Sequence, residues 1–298
     1  MQLFKDAIKN LAVGTSDRFG SLMITPVHII EEAPLDGFIG FDELFDSGLV
    51  EAQEVSESGI VGRISVSNLS DKSLCLFDGE ALVGAKQNRI VERSLIVPPK
   101  TEVGVPVNCV ERGRWSGLGG RGRFRKSEFA ATPSMKLNKA QLLKEKRFGE
   151  IQSEMWASVD RVAACHDVRS SSDDLGELYD GMKRSQFRAL EDYVTTMKSH
   201  GYLIEGVQKP FIEIFGTTGF CSSYAKKAVK SWMTESAETD IAGHQSALCR
   251  LRDCDWRSDD SFGSEIAWVP GDRNNGRVIQ SGGGHLIHAF LDLTPAAV

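Results

Sequence analysis

From residue 20 to residue 112 the chain is cut into short runs rich in Val, Ile and Leu by Gly, Pro, Asn and Asp. "SLMITPVHII", "LVEAQEV", "GIVGRISVSN", "SLCLF" and "RSLIVPP" read as strands joined by turns. "PPKT" turns the chain, and "EVGVPVNCVE" runs back against "RIVERSLIV", so the assembly is antiparallel, a sandwich or barrel. Asp42 is expected to cap a brief helix, "DELFDSG", between the first two strands.

The pattern changes after Trp115. "GRWSGLGGRGRFRK" is too rich in Gly for a regular element and reads as a loop. Phe148, Ile151, Met155, Val159 and Val162 then recur at helical spacing. A second helix is expected from Ser172 or Asp173 to Gly201, with Leu175, Tyr179, Met182, Gln186, Leu190, Tyr193 and Met197 on one face. "YLIEGVQKPFIEIFG" reads as two strands around a turn, and "FCSSYAKKAVKSWMTES" as a helix with Phe220, Ala225, Ala228 and Trp232 inward. A polar helix near 240–253 leads to a strand meander signalled by Asn275-Gly276. The expected fold is α+β. A β-rich part over 1–135 carries "GAKQNR" and "CVERGRW", and an α+β part with several helices covers 136–298.

Composition excludes several classes. With 298 residues, 41% hydrophobic, the chain can bury a core without staples. No apolar run approaches the ~20 residues that span a bilayer. The N-terminus reads as a short helix with Leu3, Phe4, Ala7, Ile8 and Leu11 on one face, not as a signal peptide. Six scattered cysteines then imply reduced thiols in a cytoplasm. A net charge of -6 argues against a general polyanion binder.

Chemistry concentrates in "EALVGAKQNRIVERS", residues 80 to 94, where Lys86, Gln87, Asn88 and Arg89 interrupt a segment that otherwise reads as buried sheet. Strand alternation sets Lys86 and Asn88 against Gln87 and Arg89, and a bulge or turn at Gly84 gathers them. Lys and Arg suit phosphate or carboxylate, and Gln and Asn suit amide or ribose edges. Glu80 is an acceptor for hydroxyls in one reading and the counter-charge of Arg89 in the other. "NCVERGRW" adds Cys109, Glu111, Arg114 and Trp115 on a neighbouring strand. Cys109 reads as a small core residue rather than a nucleophile, and Glu111 is the better candidate for acid–base work. Residues 112–126 hold Arg112, Arg114, Arg121, Arg123, Arg125 and Lys126 and no acid. With Trp115 and Phe124, that segment reads either as a phosphate or single-strand binder or as a solvated loop. His285 and His288 point to opposite faces of a strand, and no zinc or calcium motif occurs, so no metal is expected. "GTTGF" and "SGGGH" match no phosphate-binding fingerprint.

"GEALVGAKQNRIV" followed by "VPVNCVERGRW" resembles a family of bacterial, archaeal and phage proteins, the ADP-ribosylglycohydrolase, rhodanese and phosphatase-superfamily associated protein domain. "ITPVHI", "DELFDSGLVEAQEV" and "ISVSNLSDKSLCLFDGE" fall in the family order; "SYAKKAVKSW" and "GHLIHAFLDL" match more loosely. Nothing from Gly117 to Ser134 matches. The resemblance implies association with domains that process NAD-derived ADP-ribose, and implies Glu80, Lys86, Gln87, Asn88, Arg89, Cys109, Glu111, Arg114 and Trp115 as a site.

Two readings stay open. In one, the chain binds or processes a nucleotide-type, phosphate-bearing ligand. Lys86, Gln87, Asn88, Arg89, Arg114 and Trp115 hold it, and Glu80 or Glu111 moves a proton. In the other it is a non-catalytic interaction or scaffold protein whose polar motif is structural. The first implies a small nucleotide-type partner and no membrane, with nucleic acid disfavoured but left open by the basic loop 112–126; the second allows a homo-oligomer.

Overall fold

The computed structural model describes residues 2–115, 122–237, 244–259, 266–270 and 276–293. The fold is α+β, and among the described residues the sheets are antiparallel but for one strand pair, Phe38–Gly40 beside Ser73–Leu76. No described helix is long and apolar enough to cross a membrane. The chain forms two compact units, one from 36–186 and one from 1–35 with 187–298.

In the 36–186 unit a six-stranded sheet runs in the order Phe124–Ala130, Glu80–Gly84, Arg89–Val91, Thr101–Cys109, Arg63–Asn68, Val50–Glu54. Its two edges meet. The Glu54 N–H donates to the Gly122 carbonyl at 3.0 Å, and Gln53 bridges to Arg123, which joins the edges at that end and rolls the sheet into a barrel. The period of two then sends Ala52, Ile64, Val66, Leu82, Val91, Val107 and Phe124 inward to one core. Ala81, Ile90 and Val110 point outward instead, against Met135, Met155, Val159 and Tyr179. Those four come from the helices Pro133–Lys144, Ile151–His166 and Leu175–Asp180. These helices complete the sheet's outer face, so the chain shows no division at 135/136.

Local expectations fail where a polar cap outweighs apolar spacing. The helix expected from Ser172 to Gly201 is broken into Leu175–Asp180, a short 3-10 turn and Arg188–Thr196. Its first piece is capped by Asp174, which accepts from the Glu177 N–H, and Gly181 ends it. Asp42 lies in the first turn of Phe41–Asp46; the cap position is Gly40, which has no side chain to bond. The helix Pro133–Lys144 was not anticipated, because Ser134, Lys136 and Lys139 are buried and hide its period. Its start was nonetheless written in "TPSM": Thr132 accepts from the Met135 N–H and Pro133 opens the first turn. Phe124, Arg125 and Lys126, read as loop, begin a strand paired with Glu80–Gly84.

The other unit is a sheet in the order Leu11–Val13, Leu22–Ile29, Gly201–Glu205, Phe211–Phe215, Leu286–Asp292, Gly276–Gln280, Ile266–Pro270, Trp256–Asp259, with Asp17–Phe19 beside Leu22–Ile29. Helix Thr218–Thr234 buries Phe220, Ala225, Ala228 and Trp232, as its spacing predicts. Inside this unit Tyr202 donates to Glu213 Oε2 at 2.6 Å, and His288 Nε2 lies 2.8 Å from Glu213 Oε1. His285 precedes the strand that carries His288. Asn275, half of the expected turn, lies outside the described residues.

A charge pair is sealed in the 36–186 unit, where Lys139 Nζ donates to Asp78 Oδ1 at 2.5 Å and to the Val91 carbonyl at 3.4 Å. Burial pushes the Lys139 ammonium below its usual range, and the Asp78 carboxylate opposes that. Removing one member strands a charge in a dry interior. Lys139→Ala is expected to lower unfolding stability by about 3–5 kcal/mol in urea titrations, and Lys139→Met with Asp78→Asn by clearly less.

Candidate functional site

Strands Glu80–Gly84 and Arg89–Val91 pair with Ala81 opposite Ile90 and Leu82 opposite Arg89. Residues 85–88 are therefore the turn of a hairpin, and strand alternation does not apply to them. Four polar side chains interrupt the apolar run because the chain leaves the core there. The turn is tight enough to need Gly84, whose φ is +118° and where a Cβ would lie 2.8 Å from the Arg123 carbonyl oxygen. Ala85 also has positive φ, and its N–H donates to the same carbonyl at 3.0 Å.

One group of the motif residues frames this turn. Glu111, only 4% exposed, accepts from Arg114 Nε at 2.6 Å and Nη2 at 2.7 Å. It also accepts from the Asn88 N–H at 2.9 Å and from the Ser172 hydroxyl at 3.2 Å. Arg114 Nη1 donates to the Ala85 carbonyl at 2.7 Å, so a single guanidinium ties strand end to turn. Its bonds to Glu111 hold Arg114 above the usual guanidinium range. Asn88 accepts from the Gly84 N–H at 2.9 Å and donates to Asp174 Oδ1 at 3.0 Å. Burial raises the Asp174 carboxyl, and the bond from Asn88 works against that rise.

The remaining residues meet at one end of the barrel interior. Register places Cys109 directly opposite Arg89, and the guanidinium Nη1 contacts the Cys109 sulfur. Nη1 also donates to Gln87 Oε1 at 2.9 Å, which accepts from the Cys109 thiol at 3.1 Å. Glu54 Oε1 lies 3.9 Å from Arg89 Nη2 and accepts from the Lys86 N–H at 3.3 Å. Neither Arg89 nor Glu54 has exposed surface. At 3.9 Å they attract through space without a hydrogen bond, which leaves Arg89 Nε, Arg89 Nη2 and Glu54 Oε2 with no hydrogen-bond partner. Over them lies the Trp115 ring, 46% exposed, its centroid 5.5 Å from the Arg89 guanidinium carbon and 5.9 Å from the Lys86 ammonium. On the other side Gly59 lets the chain pass so close that a Cβ there would lie 2.9 Å from Lys86 Cδ and 3.2 Å from Glu54 Oε2.

Lys86, Gln87, Asn88, Arg89, Cys109, Glu111, Arg114 and Trp115 are thus brought together. Glu80 is buried on the same barrel face as Arg89 but farther along the strand, where its Oε2 accepts from the Phe77 N–H at 3.3 Å. The ion pair of Arg89 is with Glu54. Sequence reasoning missed Glu54, although "VEAQE" alternates Val50, Ala52 and Glu54 onto one face and so puts a carboxylate among apolar residues. It also missed Gln152, which accepts from the Cys109 N–H and donates to its carbonyl, both at 2.9 Å. Within 112–126, Arg112 pairs with Asp160, Arg114 with Glu111, Arg123 with Glu51 and Lys126 with Asp46. Phe124 is core and presents no stacking face. Arg121 and the Gly117–Gly120 stretch lie outside the described residues. Among the described residues, no group of three or more His, Cys, Asp or Glu side chains is arranged to hold a metal ion.

Barrel, outer helices and hairpin-turn cluster define an α+β protein with a buried polar centre at the hairpin turn of its 36–186 unit. The ARG and Rhodanese-Phosphatase-superfamily-associated Protein domain matches residues 10–290, and the chain belongs to that family. No curated protein and no solved structure matches it.

Burial pushes the Cys109 thiol up to about 11, against the pull of Arg89, so at neutral pH it is a protonated hydrogen-bond donor. All six cysteines are free, but only Cys165 and Cys249 are exposed. Brief iodoacetamide treatment at pH 8 followed by peptide mass mapping is expected to label those two and spare Cys109 until denaturant is added. Rapid native labelling of Cys109 would contradict this account of its surroundings.

Proposed function

We propose that the protein binds a nucleotide-type, phosphate-bearing ligand of the NAD or ADP-ribose kind at the mouth formed by Lys86, Arg89 and Trp115. One observation carries the reading: an aromatic ring with nearly half its surface exposed lies against two cations at the end of a barrel. A base stacks on the open ring face, and Lys86 meets the phosphate. Among the described residues no carboxylate lies within ion-pair reach of the Lys86 ammonium, whereas Arg114 is engaged by Glu111 and Ala85. The family's association with ADP-ribose enzymes supports the same ligand class, and the free thiols suit a reducing cytoplasm.

A second reading, a scaffold whose polar motif is structural, draws on the closed network around Glu111. The two readings divide the motif between them: Glu111, Arg114, Asn88 and Asp174 frame the turn, and Lys86, Arg89 and Trp115 face the ligand. No proton-transfer step is assigned, since each oxygen of the Glu111 carboxylate is already bonded to two donors.

Calorimetric titration with ADP-ribose, NAD and mononucleotides tests this. Trp115→Ala is expected to weaken binding by about 1–3 kcal/mol, the worth of one stacked base. Lys86→Gln should weaken it and flatten its salt dependence. Arg114→Gln should instead lower the melting temperature. A panel in which no nucleotide binds, or in which Trp115→Ala binds as well as the parent, leaves the scaffold reading.

A further inference from the structure

Resting on that ligand class, we infer that the buried pair Glu54 and Arg89 is a subsite for a vicinal diol, the ribose hydroxyls, and not a phosphate site. The three polar atoms left without partners select the chemical group that fits. Arg89 Nε and Nη2 share one edge of a planar guanidinium and both donate. Glu54 Oε2, on the carboxylate whose other oxygen lies 3.9 Å from Nη2, only accepts. An ionised phosphate oxygen satisfies the guanidinium and sets a second negative charge against Glu54. An ammonium satisfies Glu54 and opposes Arg89. A hydroxyl does both, donating to the carboxylate while accepting from the guanidinium, and two adjacent hydroxyls match the paired Nε and Nη2 donors.

The surroundings agree with this assignment. Both side chains are without exposed surface, so the orphaned atoms lie where an unmade hydrogen bond costs most. Gly59 forms one wall against Glu54 Oε2, and Trp115, the half-exposed side of the mouth, forms the cover. The diol enters as the ring swings outward, and the base then stacks on that ring. Lys86, whose stem runs past Gly59 and whose ammonium approaches the same ring, receives the phosphate. Ribose between base and phosphate is the order in which a nucleotide presents these groups.

The test is calorimetric titration of the full chain with AMP, 2′-deoxy-AMP and 3′-deoxy-AMP, with ADP-ribose and NAD alongside. AMP is expected to bind at least tenfold tighter than one of the deoxy analogues, since a site built for a hydroxyl penalises its loss. In Glu54→Gln that ratio should shrink to within twofold, while Lys86→Gln weakens all three nucleotides in proportion. If Glu54→Gln fails to fold by circular dichroism, the ratio in the parent protein decides. Deoxy analogues binding within twofold of AMP overturn the diol assignment and leave the nucleotide reading intact. So does a tenfold ratio that survives Glu54→Gln, or ADP-ribose binding while AMP does not. Failure of ADP-ribose, NAD and AMP alike overturns both.

Discussion

A guanidinium with no exposed surface is the constraint around which the 36–186 unit is arranged. A buried charge needs a counter-charge and donors' partners within a few ångströms, or folding fails. Arg89 obtains its counter-charge from the far edge of the sheet, because rolling the sheet up brings Glu54 next to Gly122 and so into the barrel mouth. Barrel closure and charge compensation are therefore one event. A sheet left open at Val50–Glu54 would leave Arg89 with Cys109 and Gln87, neither of which carries charge at neutral pH.

Strand segmentation and the α+β class were legible because the signal is local: short apolar runs, turn residues and the period of two. The antiparallel pairing of "EVGVPVNCVE" with "RIVERSLIV" was legible for the same reason, and it put Cys109 near Arg89. Closure was not legible. It depends on a contact between Glu54 and Gly122, far apart in the chain, and no local pattern announces it. Glu54 itself had left a trace as an acid on an apolar face, a sign easily lost when nothing says what the acid would face. The helix Pro133–Lys144 went unseen for the opposite reason, since buried lysines erased the apolar spacing while the cap remained readable.

The motif residues divide by how completely their hydrogen bonds are made. Around Glu111 almost every donor and acceptor has a partner within the chain, which is the condition for a polar cluster to stiffen a fold. Around Arg89 and Glu54 the bonding is incomplete, and natural proteins rarely leave buried polar atoms so without a use for them. One strand turn thus carries a finished network on one side and an unfinished one on the other, with Asn88 and Arg89, adjacent in sequence, on opposite sides of that line.

The order of the two units along the chain has a consequence for synthesis. Leu11–Val13 and Asp17–Phe19 pair with Leu22–Ile29, but Leu22–Ile29 also pairs with Gly201–Glu205, so this early three-stranded piece joins the rest of its sheet only after residue 200 has been made. Segment 36–186, by contrast, contains every strand and helix of its own barrel and core. As the chain leaves the ribosome, the barrel with its Glu54–Arg89 mouth can form while the early strands are still waiting with apolar surface uncovered. The nascent chain is thus most exposed to chaperones and to misassociation at its N-terminal strands, during the time needed to translate residues 36 to 205.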